Sequence, residues 1–209
     1  MTDGGTPYNP LDRRNLGRSV EYALLIEDSV LLDGVARLTG DGIYALYYTG
    51  SLDIYQPIAN EACRVPIYVG KADVPGARKG LVSVNYRGTA LWNRLDEHAD
   101  SIRRAQNLDV ADFRCRYLVV DDIWIPLGES LMIGNYRPLW NVVIDGFGLH
   151  DPGSGRHGGL RSEWDELHPG RVWYAKMAPR PDPEAILRKV VRHFEQHPPP
   201  EVTEVPEVG

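Results

Sequence analysis

The chain has 209 residues, 23 Lys and Arg against 29 Asp and Glu, and 43% hydrophobic residues. That length carries a sizeable core without staples, and a formal net charge of −6 excludes, taken whole, a general polyanion-binding protein. Cys63 and Cys115 are too few for a disulfide framework, no signal peptide is visible, and apolar runs fall far short of the roughly 18 residues of a membrane span, so a soluble cytoplasmic protein is expected.

In chain order, Leu16, Val20, Ala23, Leu24 and Glu27 follow a helical spacing and predict an amphipathic helix between Asn15 and Asp28. Gly42–Tyr48 (GIYALYY) reads as a strand, and Pro66–Gly70 (PIYVG) as a second one ended by its glycine. Thr89 is the expected N-cap of a helix to about Gln106, with Leu91, Leu95 and Ile102 as its apolar stripe. Phe113–Asp121 predicts a third strand, and a further helix starts near Pro126 and runs through Glu129, Met132 and Ile133 to about Tyr136. From Gly146 to Gly170 no periodicity survives, which predicts a long structured arm, docked through Leu160, Trp164 and Leu167. Asp182-Pro183 begins a terminal helix whose apolar face is Ile186, Leu187, Val190, Val191 and Phe194. There is no internal repeat. The expected architecture is α+β, a small, mostly antiparallel mixed sheet flanked by helices, with tails of low order at both ends.

The chemistry-bearing residues sit within these elements. Tyr44 and Tyr68 occupy two strands, and their phenols share a surface if the register matches; alone, strand tyrosines are ordinary packing residues. Arg94 and His98 stand i, i+4 on the next helix, so they project from one face as a fixed cation and a group that titrates near neutrality. Glu129 lies among Leu127, Leu131, Met132 and Ile133, where a carboxylate needs a partner, and a divalent metal is one. His150, His157 and His168 have neither cysteine neighbours nor the helical spacing of a zinc site.

The order GIY, YVG, helical Arg, helical Glu and then Asn141 resembles the GIY-YIG nuclease superfamily, over a core from about Asp41 to Asn141. YVG departs from the usual second triplet, and 23 residues separate Tyr44 from Tyr68, a longer connection than the family usually has. That length, a His one turn after the Arg, and segments at both ends look like the type II restriction endonuclease branch. His150–Arg156 and Leu167–Arg171 are similar to members that cut CCGCGG.

The resemblance implies an N-terminal helical extension (1–40), a nuclease core (41–145) and a DNA-reading arm with the terminal helix (146–209), all packed as one domain. It implies Mg²⁺-dependent cleavage of double-stranded DNA at a short GC-rich palindrome by a homodimer, with Mn²⁺ able to substitute, no organic cofactor and no membrane. Tyr44 or His98 would take the proton of the attacking water, Tyr68 orient that water or a phosphate oxygen, Arg94 hold the phosphate, Glu129 hold the metal and Asn141 brace the site or contact DNA. Lys71, Arg78, Arg87, Arg156, Arg161 and Arg171 are the candidate DNA contacts, with Arg156 favoured as a guanine reader. A repair or homing nuclease of the same superfamily, or a catalytically dead DNA-binding module on the same scaffold, are the rival readings. Residues 64–104 hold eight basic and four acidic side chains, so the acidic total hides a basic strip beside the motif residues.

Overall fold

A computed structural model of the chain describes residues 9, 11–73 and 88–199. Among these residues a four-stranded sheet has the order β1 (Val30–Leu31), β4 (Phe113–Val119), β2 (Gly42–Tyr48), β3 (Tyr68–Ala72). All its pairings are antiparallel, so the sheet is not mixed. The reason is topological: β3 and β4 run parallel to one another, but β2 lies between them, so the crossover joining them never brings parallel strands into contact.

Every residue of β2 is buried, because the strand is covered on both faces. Ile43, Ala45 and Tyr47 pack with Val20 and Leu24 of α1 (Arg13–Leu25) and with Ile125 and Met132 of α3 (Ile125–Tyr136). Tyr44, Leu46 and Tyr48 alternate onto the opposite face, against Leu91, Leu95 and Ile102 of α2 (Ala90–Arg104). The sequence alternation therefore divides one continuous apolar strand between two cores. The long β2–β3 connection is part of the structure, since Tyr55, Ile58 and Ile67 from it are buried in the α2-side core.

Asp12 caps α1 by accepting from the Arg14 amide at 2.8 Å. Thr89 stands at the N-cap of α2 but makes no capping bond; its hydroxyl lies 3.3 Å from Asn93 Oδ1 instead. α3 ends at Arg137 in the left-handed conformation (φ 46°), Pro138 follows, and the chain turns into α4 (Leu139–Val142) beside β3. Asp182 accepts from the Ala185 amide at 3.1 Å at the start of α6 (Glu184–Gln196).

The arm contains a helix that the sequence pattern does not reveal, α5 (Glu163–Leu167), capped by the Ser162 hydroxyl on the Asp165 amide at 3.0 Å. Five residues are too few to show a period. Trp164 docks completely, whereas Leu160 is 55% exposed and is not an anchor. Phe147, Trp164, Ile186 and Val190 share one core cluster with Tyr44, which places the arm's base and α6 in the same packed body as β2. Leu187 and Val191, expected on the buried face of α6, are exposed. Among the described residues no helix is long and apolar enough to cross a membrane.

Candidate active site

The β2–β3 register sets Tyr44 opposite Gly70 and Leu46 opposite Tyr68, so both phenols fall on the α2 side of the sheet, with ring centroids 6.3 Å apart. The glycines of the two triplets have steric reasons. A Cβ on Gly42 would lie 2.0 Å from the Leu118 carbonyl oxygen of the neighbouring strand. A Cβ on Gly70 would lie 2.3 Å from Tyr44 Oη, so the ring of the first triplet rests on the glycine of the second.

α2 brings His98 beneath this pair. Its Nε2 is 2.6 Å from Tyr44 Oη, and its ring stacks on Phe147 at 4.5 Å. Burial holds His98 well below the ordinary histidine pKa, and the nearby charges of Arg94, His150 and Arg171 act in the same direction. Burial also pushes Tyr44 well above the usual tyrosine range; Tyr68 and Glu129 add to this, while the charge and hydrogen bond of Arg94 oppose it. A neutral imidazole facing a protonated phenol fixes the direction of the bond: Tyr44 donates and His98 Nε2 accepts. Tyr68 is raised by burial and lowered by Arg94, which is therefore the cation common to both phenols.

Arg94 is held in turn by the arm. Its Nη2 donates to the Gly148 carbonyl at 3.0 Å, and its Nη1 reaches Glu97 Oε2 at 3.0 Å and His150 Nε2 at 3.3 Å. A Cβ on Gly148 would come within 3.0 Å of both Arg94 Nη2 and Tyr68 Oη, so this glycine lets the backbone approach the site closely.

On the α3 side of the edge strand β3, Glu129 Oε2 pairs with Lys71 Nζ at 2.9 Å, both partly exposed. Lys71, expected on DNA, is thus the counter-ion of Glu129. The Glu129 charge adds to the raised pKa of both phenols. Asn141 of α4 accepts from the Val69 amide and donates to the Val69 carbonyl, each at 2.8 Å. It therefore completes the hydrogen bonding of the free edge between Tyr68 and Gly70.

Among the described residues no group of three or more His, Cys, Asp or Glu could form an all-protein metal cage. One partly exposed carboxylate, Glu129, still fits Mg²⁺, which keeps most of its waters and takes few protein ligands.

The arm candidates divide. Arg171 was expected to read DNA, but it is only 2% exposed. Its Nε binds Asp165 Oδ1 at 2.6 Å, and its Nη atoms donate to the Phe147 and Gly146 carbonyls at 2.9 Å each. With its guanidinium also over the Trp164 and Trp173 rings, it serves the fold and has no donors left for a base. Arg156 is exposed and has no ion pair among the described residues. Arg161 is stacked 3.8 Å over the Tyr174 ring and lies 3.6 Å from Glu166. Both line an open cleft of about 710 Å³ with His157 and Arg180. Arg180 was not anticipated; its Nε is buried without a hydrogen-bond partner, and no sequence pattern marks it. Arg78 and Arg87 lie outside the described residues.

His168 is not at the surface with the other arm histidines. Its Nε2 lies 2.5 Å from Tyr55 Oη, and its Nδ1 lies 3.0 Å from Asn107 Oδ1. Tyr55 also accepts from Trp140 Nε1 at 2.9 Å, which closes a buried chain of polar groups behind Phe147.

The family profile described as the Eco29kI GIY-YIG domain matches residues 36–195, well over half of the chain. No curated protein matches the chain.

Proposed function

From the premise that the chain belongs to the Eco29kI GIY-YIG domain family of type II restriction endonucleases, we propose that it is a Mg²⁺-dependent enzyme cutting both strands of a short GC-rich palindrome, with CCGCGG the first target to test. The observation that carries this reading is the convergence of Tyr44, Tyr68, Arg94 and His98 on one cluster within reach of the Glu129 charge.

Phosphodiester hydrolysis needs a base for water, a cation at the phosphate and help for the leaving oxygen. Tyr44 hands its proton to His98 Nε2 as it takes the proton of the attacking water, which spares the site a free phenolate in a buried setting. His98 suits this because it is held neutral and is already the acceptor. Tyr68 orients the water or a phosphate oxygen, and Arg94 offers a planar fork to the non-bridging oxygens. Glu129 would hold Mg²⁺ with Lys71 displaced, and the ion would supply charge relief at the phosphate and the leaving 3′ oxygen. Asn141 acts through β3, keeping Tyr68 and Gly70 in place.

Arg156, Arg161 and Arg180 line the cleft that would receive DNA, and Arg156 is the best-placed guanine reader. A palindrome cut on both strands calls for two such sites, hence a two-fold homodimer on DNA. Phage or plasmid DNA digested with Mg²⁺ or Mn²⁺ should give discrete bands whose sequenced ends define the site. Glu129→Ala should bind that site and leave it uncut. Intact DNA under every metal would refute the nuclease reading; nicking at branches would favour a repair role.

A further inference from the structure

The held position of Arg94 has a second aspect. Besides its hydrogen bonds with the Tyr44 and Tyr68 phenols, Arg94 has three further contacts. Of these, Glu97 is a half-exposed i, i+3 partner, a kind of pair that contributes little to fixing a side chain in water. The other two, the Gly148 carbonyl and His150 Nε2, come from the arm. The arm segment is itself rigidly seated: the buried Arg171 grips the carbonyls of Gly146 and Phe147 and, more loosely at 3.4 Å, that of Leu149. Thus a core-anchored loop ends in His150, which faces the phosphate-binding arginine from outside the tyrosine cluster.

His150 is also shared between two cavities. One is lined by two of the site residues, Arg94 and His98, together with Phe147 and Gly148; the other is the cleft of Arg156, Arg161 and Arg180. Leu149, His150 and Trp173 line both cavities. A duplex that engages both cavities lies against His150. An arginine can only donate, so the Arg94–His150 contact requires a lone pair on Nε2.

We infer that His150 is a positioning residue that fixes Arg94 through its Nε2 lone pair and thereby links the seating of DNA in the arm cleft to cleavage. The inference rests on the nuclease reading. His150 is exposed, so its replacement removes the contact without opening the core. Glutamine keeps a side-chain acceptor at this position; alanine does not.

The test uses the full chain, the site defined by its own digest and variants of that site with one base pair changed. Single-turnover cleavage is measured with Mg²⁺, and binding with Ca²⁺ in its place. His150→Ala should slow cognate cleavage by about 10- to 100-fold, the scale of a misplaced catalytic group, with an unchanged melting temperature and nearly unchanged binding. His150→Gln should recover most of the rate. The alanine variant should also slow the altered sites less than the cognate one, narrowing discrimination. Unchanged cleavage in His150→Ala, equal loss in both variants, a parallel loss of binding, or equal slowing on all sites would overturn the inference while leaving a cutting wild type intact. A wild type that cuts nothing would instead overturn the nuclease reading on which the inference stands.

Discussion

Acid should unfold this protein through His168, and the size of the effect follows from its surroundings. Trp140 donates to Tyr55, Tyr55 donates to His168 Nε2, and His168 donates from Nδ1 to Asn107, so the network uses the neutral imidazole at both nitrogens. Burial, with the Arg171 charge second, lowers the His168 pKa from 6.5 to about 3. The unfolded chain binds this proton below pH 6.5 while the folded chain refuses it until about pH 3. Stability from His168 is therefore full above pH 6.5 and is lost progressively as pH falls through that window. At about 1.4 kcal/mol per pH unit, the loss on going from pH 7 to pH 5 is about 2 kcal/mol. Urea unfolding reads this directly, as a fall in midpoint of about 1 M for a slope near 2 kcal/mol per M. His168→Gln removes the titrating group, and its own midpoint at pH 7 is immaterial because the pH dependence is compared. His98 pushes in the same direction, but it is present in both proteins and cancels in the comparison. If the wild type and His168→Gln lose stability in parallel between pH 7 and 5, His168 is not held neutral and the reasoning fails.

Two further outcomes follow from the packing. Gly70→Ala places a methyl 2.3 Å from Tyr44 Oη and 2.5 Å from its Cζ, and the ring cannot yield because His98 and Tyr68 flank it. Overpacking of this kind costs about 1–3 kcal/mol, so the melting temperature should drop by several degrees and cleavage should collapse with the Tyr44–His98 bond; a fully active Gly70→Ala would contradict the site geometry. Arg171→Met leaves Asp165 charged, buried and without its cation, a loss of about 3–5 kcal/mol in urea unfolding. A cost below about 1 kcal/mol would return Arg171 to the exposed DNA-contacting role expected from the sequence.

The convergence of Tyr44, Tyr68, Arg94 and His98 was legible in the sequence because they ride on regular elements with known periods. Arg94 and His98 share a face by helical spacing, and the tyrosines share one because side chains alternate along strands. Even the triplet glycines are local facts of strand packing, since each removes a Cβ that would strike an adjacent strand or ring. The roles of the arm were not legible. Arg156 and Arg171 are equivalent in composition and both lie beside glycines, yet one is exposed and the other is buried against Asp165 and two tryptophans. Their fates depend on how a segment of irregular backbone lies against a core built from distant residues, and no short-range period encodes that. The same holds for Lys71 of β3, which pairs with a carboxylate on α3, and for Gly148 and His150, which reach Arg94 only through the folded arm.

The opening charge balance marks the same boundary. Composition alone determined that the chain is acidic overall, and the order of residues that a basic strip lies beside the motif. Tertiary structure decided which cations the fold itself matches, because ion pairing depends on proximity across elements: Arg171 is buried on Asp165 and Lys71 pairs with Glu129, the carboxylate proposed to exchange it for Mg²⁺, while Arg156 stands exposed at the cleft.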